Sequence, residues 1–167
     1  MGVALERPWL SRVGSVISSA ERKATDAVRL VADHFGLSPV VVAEMGENDR
    51  SATGYLPKAE FEATANLFFA HPEESVRGWE RAIDAQRRIV AAVERVVAGA
   101  PESGDIAVIS HGGVGALLLC HLNDVPISRS EEEPNTGGRC VYSFDMDTRT
   151  LLSDWRLIED YTNRPGE

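Results

Sequence analysis

The sequence predicts an α/β fold: a three-layer sandwich with a mostly parallel sheet between helices. Two observations carry this. Short apolar runs of strand length alternate with longer stretches whose apolar residues recur at helical spacing. The chain has 167 residues, 43% of them hydrophobic, which suits one core and is short for two full domains. A single domain over residues 1–160 with a tail at 161–167 is expected.

The elements follow in order. Val13 to Ser18 reads as a short buried strand. Ser18 and Glu21 have capping-box spacing for a helix running to about His34. Its buried stripe would be Ala24, Val28, Leu30, Val31 and Phe35. Pro39 to Ala43 reads as a second strand and leads into an irregular polar segment, Glu44 to Pro57. Loops of that length inside compact domains are usually functional or disordered. Lys58 to Ala70 reads as a helix with Phe61, Ala65, Phe68 and Phe69 inward, ended by His71-Pro72. A further helix is expected from Val76 to Ala98, and Asp105 to Ser110 (DIAVIS) is the clearest buried strand. His111-Gly112-Gly113 forms a tight corner from which a helix runs to Leu122. A polar loop, Ser128 to Gly138, precedes two strands, Cys140 to Met146 and Leu151 to Ile158, joined at Asp147-Thr148-Arg149.

Seventeen basic and twenty-six acidic residues leave a formal net charge of −9. A nucleic-acid binder needs a basic face to displace counterions, so no nucleic-acid partner is expected. A small anionic ligand remains compatible, because a local cationic cluster can oppose the global sign. No apolar run approaches the roughly 20 residues that span a bilayer, and the N-terminus has no basic region followed by an apolar stretch. No membrane partner and a cytoplasmic location are therefore expected. Cys120 and Cys140 form neither a disulfide framework nor a zinc-spacing pattern, no histidine has a second ligand at metal spacing, and no metal is expected.

In open α/β sheets, sites collect beyond the carboxyl ends of the strands. Two segments put unusual chemistry there: Ser18-Ser19-Ala20-Glu21-Arg22-Lys23 and Ser110-His111-Gly112-Gly113. An imidazole at His111 would stand beside a helix N-terminus, where unpaired N–H groups and the dipole favour an anion, and Gly112 would allow close backbone approach. A capping or turn histidine is the plainer alternative. Arg22 and Lys23 beside two serines would make a phosphate clamp, or be solvated helix residues. Glu44 and Glu47 are candidate general acids if desolvated, and Arg50 with Asp49 is most simply a surface pair. Gly113-Val114-Gly115 lacks the third glycine of a dinucleotide fingerprint, and no G-x-S-x-G elbow supports serine-hydrolase chemistry.

Together, SSAERKA (Ser18 to Ala24) and DIAVISHGG (Asp105 to Gly113) resemble the histidine phosphatase superfamily, the phosphoglycerate mutase-like fold. The resemblance runs from about Val13 to Ile158. It implies phosphoryl transfer through a phosphohistidine, without metal or organic cofactor. The substrate would be a small phosphorylated molecule, or phosphohistidine on a protein. Lys23 falls at the family's arginine position, with Arg22 one place earlier. Met45-Gly46-Glu47 matches the acid's pattern and favours Glu47 over Glu44. His111 aligns with the second pocket histidine. Catalytic roles are thereby implied for His111 and Glu47, and phosphate contacts for Lys23, Arg22, Arg50 and Gly112.

The family opens on a strand ending in Arg-His-Gly, whose histidine is the nucleophile, and this sequence has no such strand. Ala27 stands where the family has threonine in its first helix. The expected fold is thus phosphoglycerate mutase-like with its first strand missing. Two readings follow: an N-terminally shortened phosphatase of little activity as given, or a non-catalytic domain binding a phosphorylated ligand or a partner. Either leaves Asp105 to Ser110 short of a neighbour, so rearrangement or a second chain (a homodimer) is expected at that strand.

Overall fold

The computed structural model describes residues 7–101, 103–134 and 137–162. The expected tail residues Asn163 to Glu167 lie outside the described residues. Tyr161, placed by the sequence at the start of the tail, is buried, its ring edge-on to Trp9 at 4.9 Å.

Strand β1 (Val13–Ser18) lies between two parallel neighbours, β2 (Val40–Val41) and β3 (Asp105–Ile109). Val16 and Ile17 of β1 point to opposite faces, as strand geometry requires. Val16 packs with Val28, Val31 and Ala32 of helix α1 (Arg22–Phe35). Ile17 packs on the other face with Ile89, Ala92 and Val93 of α3 (Ala82–Ala98), and with Val114 and Leu118 of α4 (Gly112–Leu122). Helices on both faces make the three layers. Helix α2 (Lys58–Ala70) lies further out, with Phe68 and Phe69 against Trp79, Ala82, Ala85, Ala116 and Leu117. β1 and β3 approach closely at their start: a Cβ on Gly104 (φ 95°) would sit 3.1 Å from the Gly14 nitrogen and the Arg12 carbonyl oxygen.

Three local expectations are corrected. The Ser18–Glu21 capping box does not form, because Ser18 is still in the strand and fully buried. Glu21 is itself the N-cap residue of α1, without a side-chain cap, and its carboxylate instead accepts the Glu47 amide at 2.7 Å. The second strand shrinks to Val40–Val41 because the chain turns into a 3-10 segment, Ala43–Met45, that buries Met45. The expected helix from Val76 begins only at Ala82, since Arg77 (φ 53°) and Gly78 (φ 83°) are left-handed and break it. Trp79 is buried all the same.

The two C-terminal strands, β4 (Cys140–Phe144) and β5 (Leu151–Leu157), pair antiparallel as a separate sheet. Their hairpin is tied to the helices. Arg149 in its turn bonds both oxygens of Glu94 on α3 (2.7 and 2.6 Å) and holds that carboxyl below its ordinary range. Tyr142 and Trp155 meet edge-on at 4.7 Å over Gly115, where a Cβ would come 3.2 Å from the Trp155 ring. Burial pushes the Tyr142 hydroxyl well above its usual range.

Among the described residues β3 pairs only with β1, so the unusual neighbour expected at its other edge does not appear there. In a parallel ladder, alternate residues turn their N–H and C=O groups to the far side, and on β3 that side has no strand partner among the described residues. No residue of β3 is buried and Val108 is 43% exposed, whereas Val16 of β1 is fully buried.

Cys120 of α4 is fully buried, and burial raises its thiol pKa. Since the thiolate is the reactive form, Cys120 is expected to stay unmodified by iodoacetamide in the native protein and to react on unfolding. Peptide mass mapping checks this, and native labelling of Cys120 would show α4 loosely packed.

Candidate active site

The parallel pairing of β1 with β3 brings their carboxyl ends together, and with them Ser19 and His111. The Ser19 amide donates to the Ile109 carbonyl at 3.2 Å, extending the ladder by one step. Beyond that step, Ser19 Oγ and His111 Nε2 are 2.7 Å apart. Ser19 is fully buried, and its hydroxyl also accepts the Glu21 amide at 3.3 Å. Glu21 Oε1 lies 3.3 Å from the same imidazole nitrogen.

The corner at His111 opens α4, whose first amides have no helical acceptor. Glu47 fills part of this vacancy: its Oε2 accepts the Gly113 amide at 3.2 Å and its Oε1 the Val114 amide at 3.1 Å. A carboxylate at a helix N-terminus is stabilised by the dipole as well as by these bonds. Gly113 is required for the approach, since a Cβ there would lie 2.5 Å from Glu47 Oε1. The Ser110 hydroxyl donates to the Met45 carbonyl at 2.6 Å, pinning the same loop to the end of β3.

Arg88 of α3 holds the Glu47 loop from beneath. Its guanidinium donates to the carbonyls of Glu44 (2.6 Å), Gly46 (2.9 Å) and Glu47 (3.3 Å), and to both oxygens of Glu80 (3.0 and 2.8 Å). The Glu80 bonds raise its pKa further, so it stays charged. Above the loop, Arg50 Nη2 is 3.5 Å from Glu47 Oε2. Asp49 is not its partner: Asp49 accepts the Ser51 amide at 2.8 Å, a bond that keeps its carboxyl below the ordinary range.

The candidate residues therefore divide. His111, Gly112, Glu47 and Arg50 stand around the N-terminus of α4. Arg22 is 93% exposed and pairs with Asp26 along its own helix at 3.6 Å, and Lys23 is exposed without a polar contact among the described residues. Neither touches His111, Glu47 or Arg50. Ser19, Glu21 and Arg88 are the contributors that residue-level reasoning left without a site role. The Ser18–Ser19 pair was the available signal for the first, and Arg88 had none. The remaining histidines are elsewhere: His34 beside Phe35, His71 facing Glu74 at the end of α2, and His121 on α4. Among the described residues no group of three or more His, Cys, Asp or Glu could hold a metal ion, and no helix is long and apolar enough to cross a membrane.

An imidazole with a serine hydroxyl, a carboxylate, a guanidinium and a helix N-terminus is chemistry suited to a tetrahedral oxyanion. The family model of the histidine phosphatase superfamily (branch 1) matches residues 5–154, and the chain belongs to that superfamily. Solved structures carry the same fold. One is a mycobacterial glucosyl-3-phosphoglycerate phosphatase in complex with inorganic phosphate (21% identity, 93% of this chain and 80% of that one, TM-score 0.68). Another is mycobacterial hydrolase 2 (20% identity, 97% of this chain and 76% of that one, TM-score 0.69). A third is the alpha-ribazole phosphatase from Shigella flexneri (15% identity, 99% and 84%, TM-score 0.60). Among curated proteins none matches.

Proposed function

We propose that the chain is a phosphomonoester hydrolase of the histidine phosphatase type. Its phosphate subsite is the space bounded by His111, Ser19, Arg50 and the Gly112 amide. In this reading His111, when protonated, and Arg50 stabilise the transferring oxygens. The incoming phosphate takes over the Gly113 and Val114 amides, and Glu47, released from them and protonated, passes that proton to the leaving oxygen. Phosphoryl transfer is mostly positioning and charge stabilisation, and these groups supply both. Lys23 and Arg22 belong to the proposal as outer cations that a bound phosphate would draw in.

The observation that carries this reading is the Ser19–His111 contact at the paired ends of β1 and β3, beside the N-terminus of α4. The nucleophilic histidine and its arginine are not in this cluster. We assign them to a further strand, outside the sequence given, seated on the open edge of β3, so that the chain as given hydrolyses little.

One observation favours a second reading, a non-catalytic ligand-binding domain. Glu21 Oε1 stands 3.3 Å from His111 Nε2 and Glu47 occupies the Gly113 and Val114 amides, so the protein's own carboxylates already use donors that a transferring phosphoryl group would need.

Titration with inorganic phosphate, followed by calorimetry, tests the subsite. His111→Ala is expected to weaken binding about tenfold, the loss of one charge-assisted hydrogen bond. Lys23→Ala should have a smaller effect, and unchanged affinity in both variants would overturn the subsite. A screen with an aryl phosphate, on this chain and on one carrying an added Arg-His-Gly strand, separates the two readings. Activity only with the strand supports the shortened hydrolase; none in either supports the binding domain.

A further inference from the structure

Arg50 has a second set of contacts that the phosphate subsite does not use. Its guanidinium carbon lies 5.2 Å from the centroid of Phe61 and 5.6 Å from that of Trp79, within cation–π range. The side chain is 32% exposed, and the same guanidinium is 3.5 Å from Glu47. One residue thus joins the subsite to an aromatic surface. That surface lines a cleft of about 440 Å3, with Arg50, Phe61 and Trp79 as its wall and Tyr55 and Lys58 among its other residues.

The wall is held in place and the rim is not. Trp79 is buried, its indole N–H donates to Thr53 Oγ1 at 2.8 Å, and that hydroxyl donates to the Arg50 carbonyl at 3.2 Å. Phe61 meets Trp79 at 5.8 Å between centroids. Tyr55, beside the left-handed Gly54 (φ 59°), is 93% exposed. Such exposure leaves a large apolar ring in water beside two other rings and two cations.

We propose that this cleft takes the leaving group of the phosphomonoester, and that the group is planar and aromatic. The inference rests on the phosphate subsite proposed above and names its substrate class. A planar ring entering between Tyr55 and Phe61 meets aromatic surface with the offset or edge-on geometry such rings favour. Its ester oxygen then points along Arg50 toward Glu47. A polyol leaving group would find few hydrogen-bonding partners on this wall. Charge complementarity supports the same occupant, because Arg50 and Lys58 are the cations of the cleft and the ligand is an anion with an apolar end.

The test is titration with three probes, inorganic phosphate, phenyl phosphate and glycerol phosphate, by calorimetry and by tryptophan fluorescence. Phenyl phosphate is expected to bind at least tenfold more tightly than glycerol phosphate and to quench Trp79. Tyr55→Ala should reduce that preference at least threefold, and Phe61→Leu should do so as well. Tyr55 is almost wholly in solvent, so its variant is expected to melt with the parent, which keeps the result interpretable. Inorganic phosphate binding with no preference for phenyl phosphate would overturn the aromatic assignment while leaving the subsite standing. An unchanged preference in both variants would also overturn it. Failure of all three probes to bind would overturn the subsite, and this inference with it.

Discussion

Replacing Arg88 with alanine is expected to lower the melting temperature by on the order of 10 °C, equivalent to about 3 kcal/mol for a domain of this size. The physical reason is concentration of function in one guanidinium. It satisfies three loop carbonyls and both oxygens of Glu80, so its loss leaves a half-buried carboxylate without its cation. Arg88→Lys should rescue little, because an ammonium cannot reproduce the planar fork that reaches the carboxylate and the carbonyls together. The same variant releases the backbone of Glu44, Gly46 and Glu47, so phosphate affinity should fall with stability. Thermal unfolding with and without phosphate is the measurement. An Arg88→Ala protein melting within about 2 °C of the parent would show that the loop holds itself.

Gly113→Ala is expected to destabilise by about 2–5 kcal/mol, although alanine is the better helix former by about 1 kcal/mol. The new methyl would lie 2.5 Å from Glu47 Oε1, so the carboxylate must leave the amides of Gly113 and Val114. Each charge-assisted bond lost costs about 1.5–3 kcal/mol, which exceeds the propensity gain. Gly112→Ala is the control. Its Cβ would come only within 3.4 Å of Glu133 Oε2, the end of a side chain, so it should melt at or near the parent temperature. If Gly113→Ala melts no lower than Gly112→Ala, the placement of Glu47 at this helix end is wrong.

The parts of the site that local sequence could carry were legible. DIAVI is a strand because four apolar residues follow one another without a helical gap, and His111-Gly112-Gly113 is the strand-to-helix corner at which Gly113 leaves room for Glu47. Val13 to Ser18 was legible as a buried strand, and the structure buries Val16 on one face and Ile17 on the other. Glu47 was separated from Glu44 only through resemblance, since one glutamate in a polar loop resembles any other until Gly113 and Val114 are seen beside it. Where Arg22 and Lys23 stand was not legible, because helix phase decides which way a first-turn residue faces, and α1 starts at Arg22, later than a cap at Ser18 implies. Ser19, Glu21 and Arg88 act through partners 26 to 92 residues away in the chain, and no short pattern encodes such pairs.

The 92-residue separation of Ser19 and His111 also governs when the site comes into being. Closing that loop carries an entropic cost that only the completed parallel ladder offsets, and non-local pairing of this kind makes folding slow. Helices can form and dock early while the site has no existence at all. Phosphate is therefore expected to slow unfolding and leave the refolding rate unchanged, because a ligand that recognises only the finished junction acts after the rate-limiting barrier. Capacity to bind becomes the last property the chain acquires on folding and the first it surrenders when the two strands part.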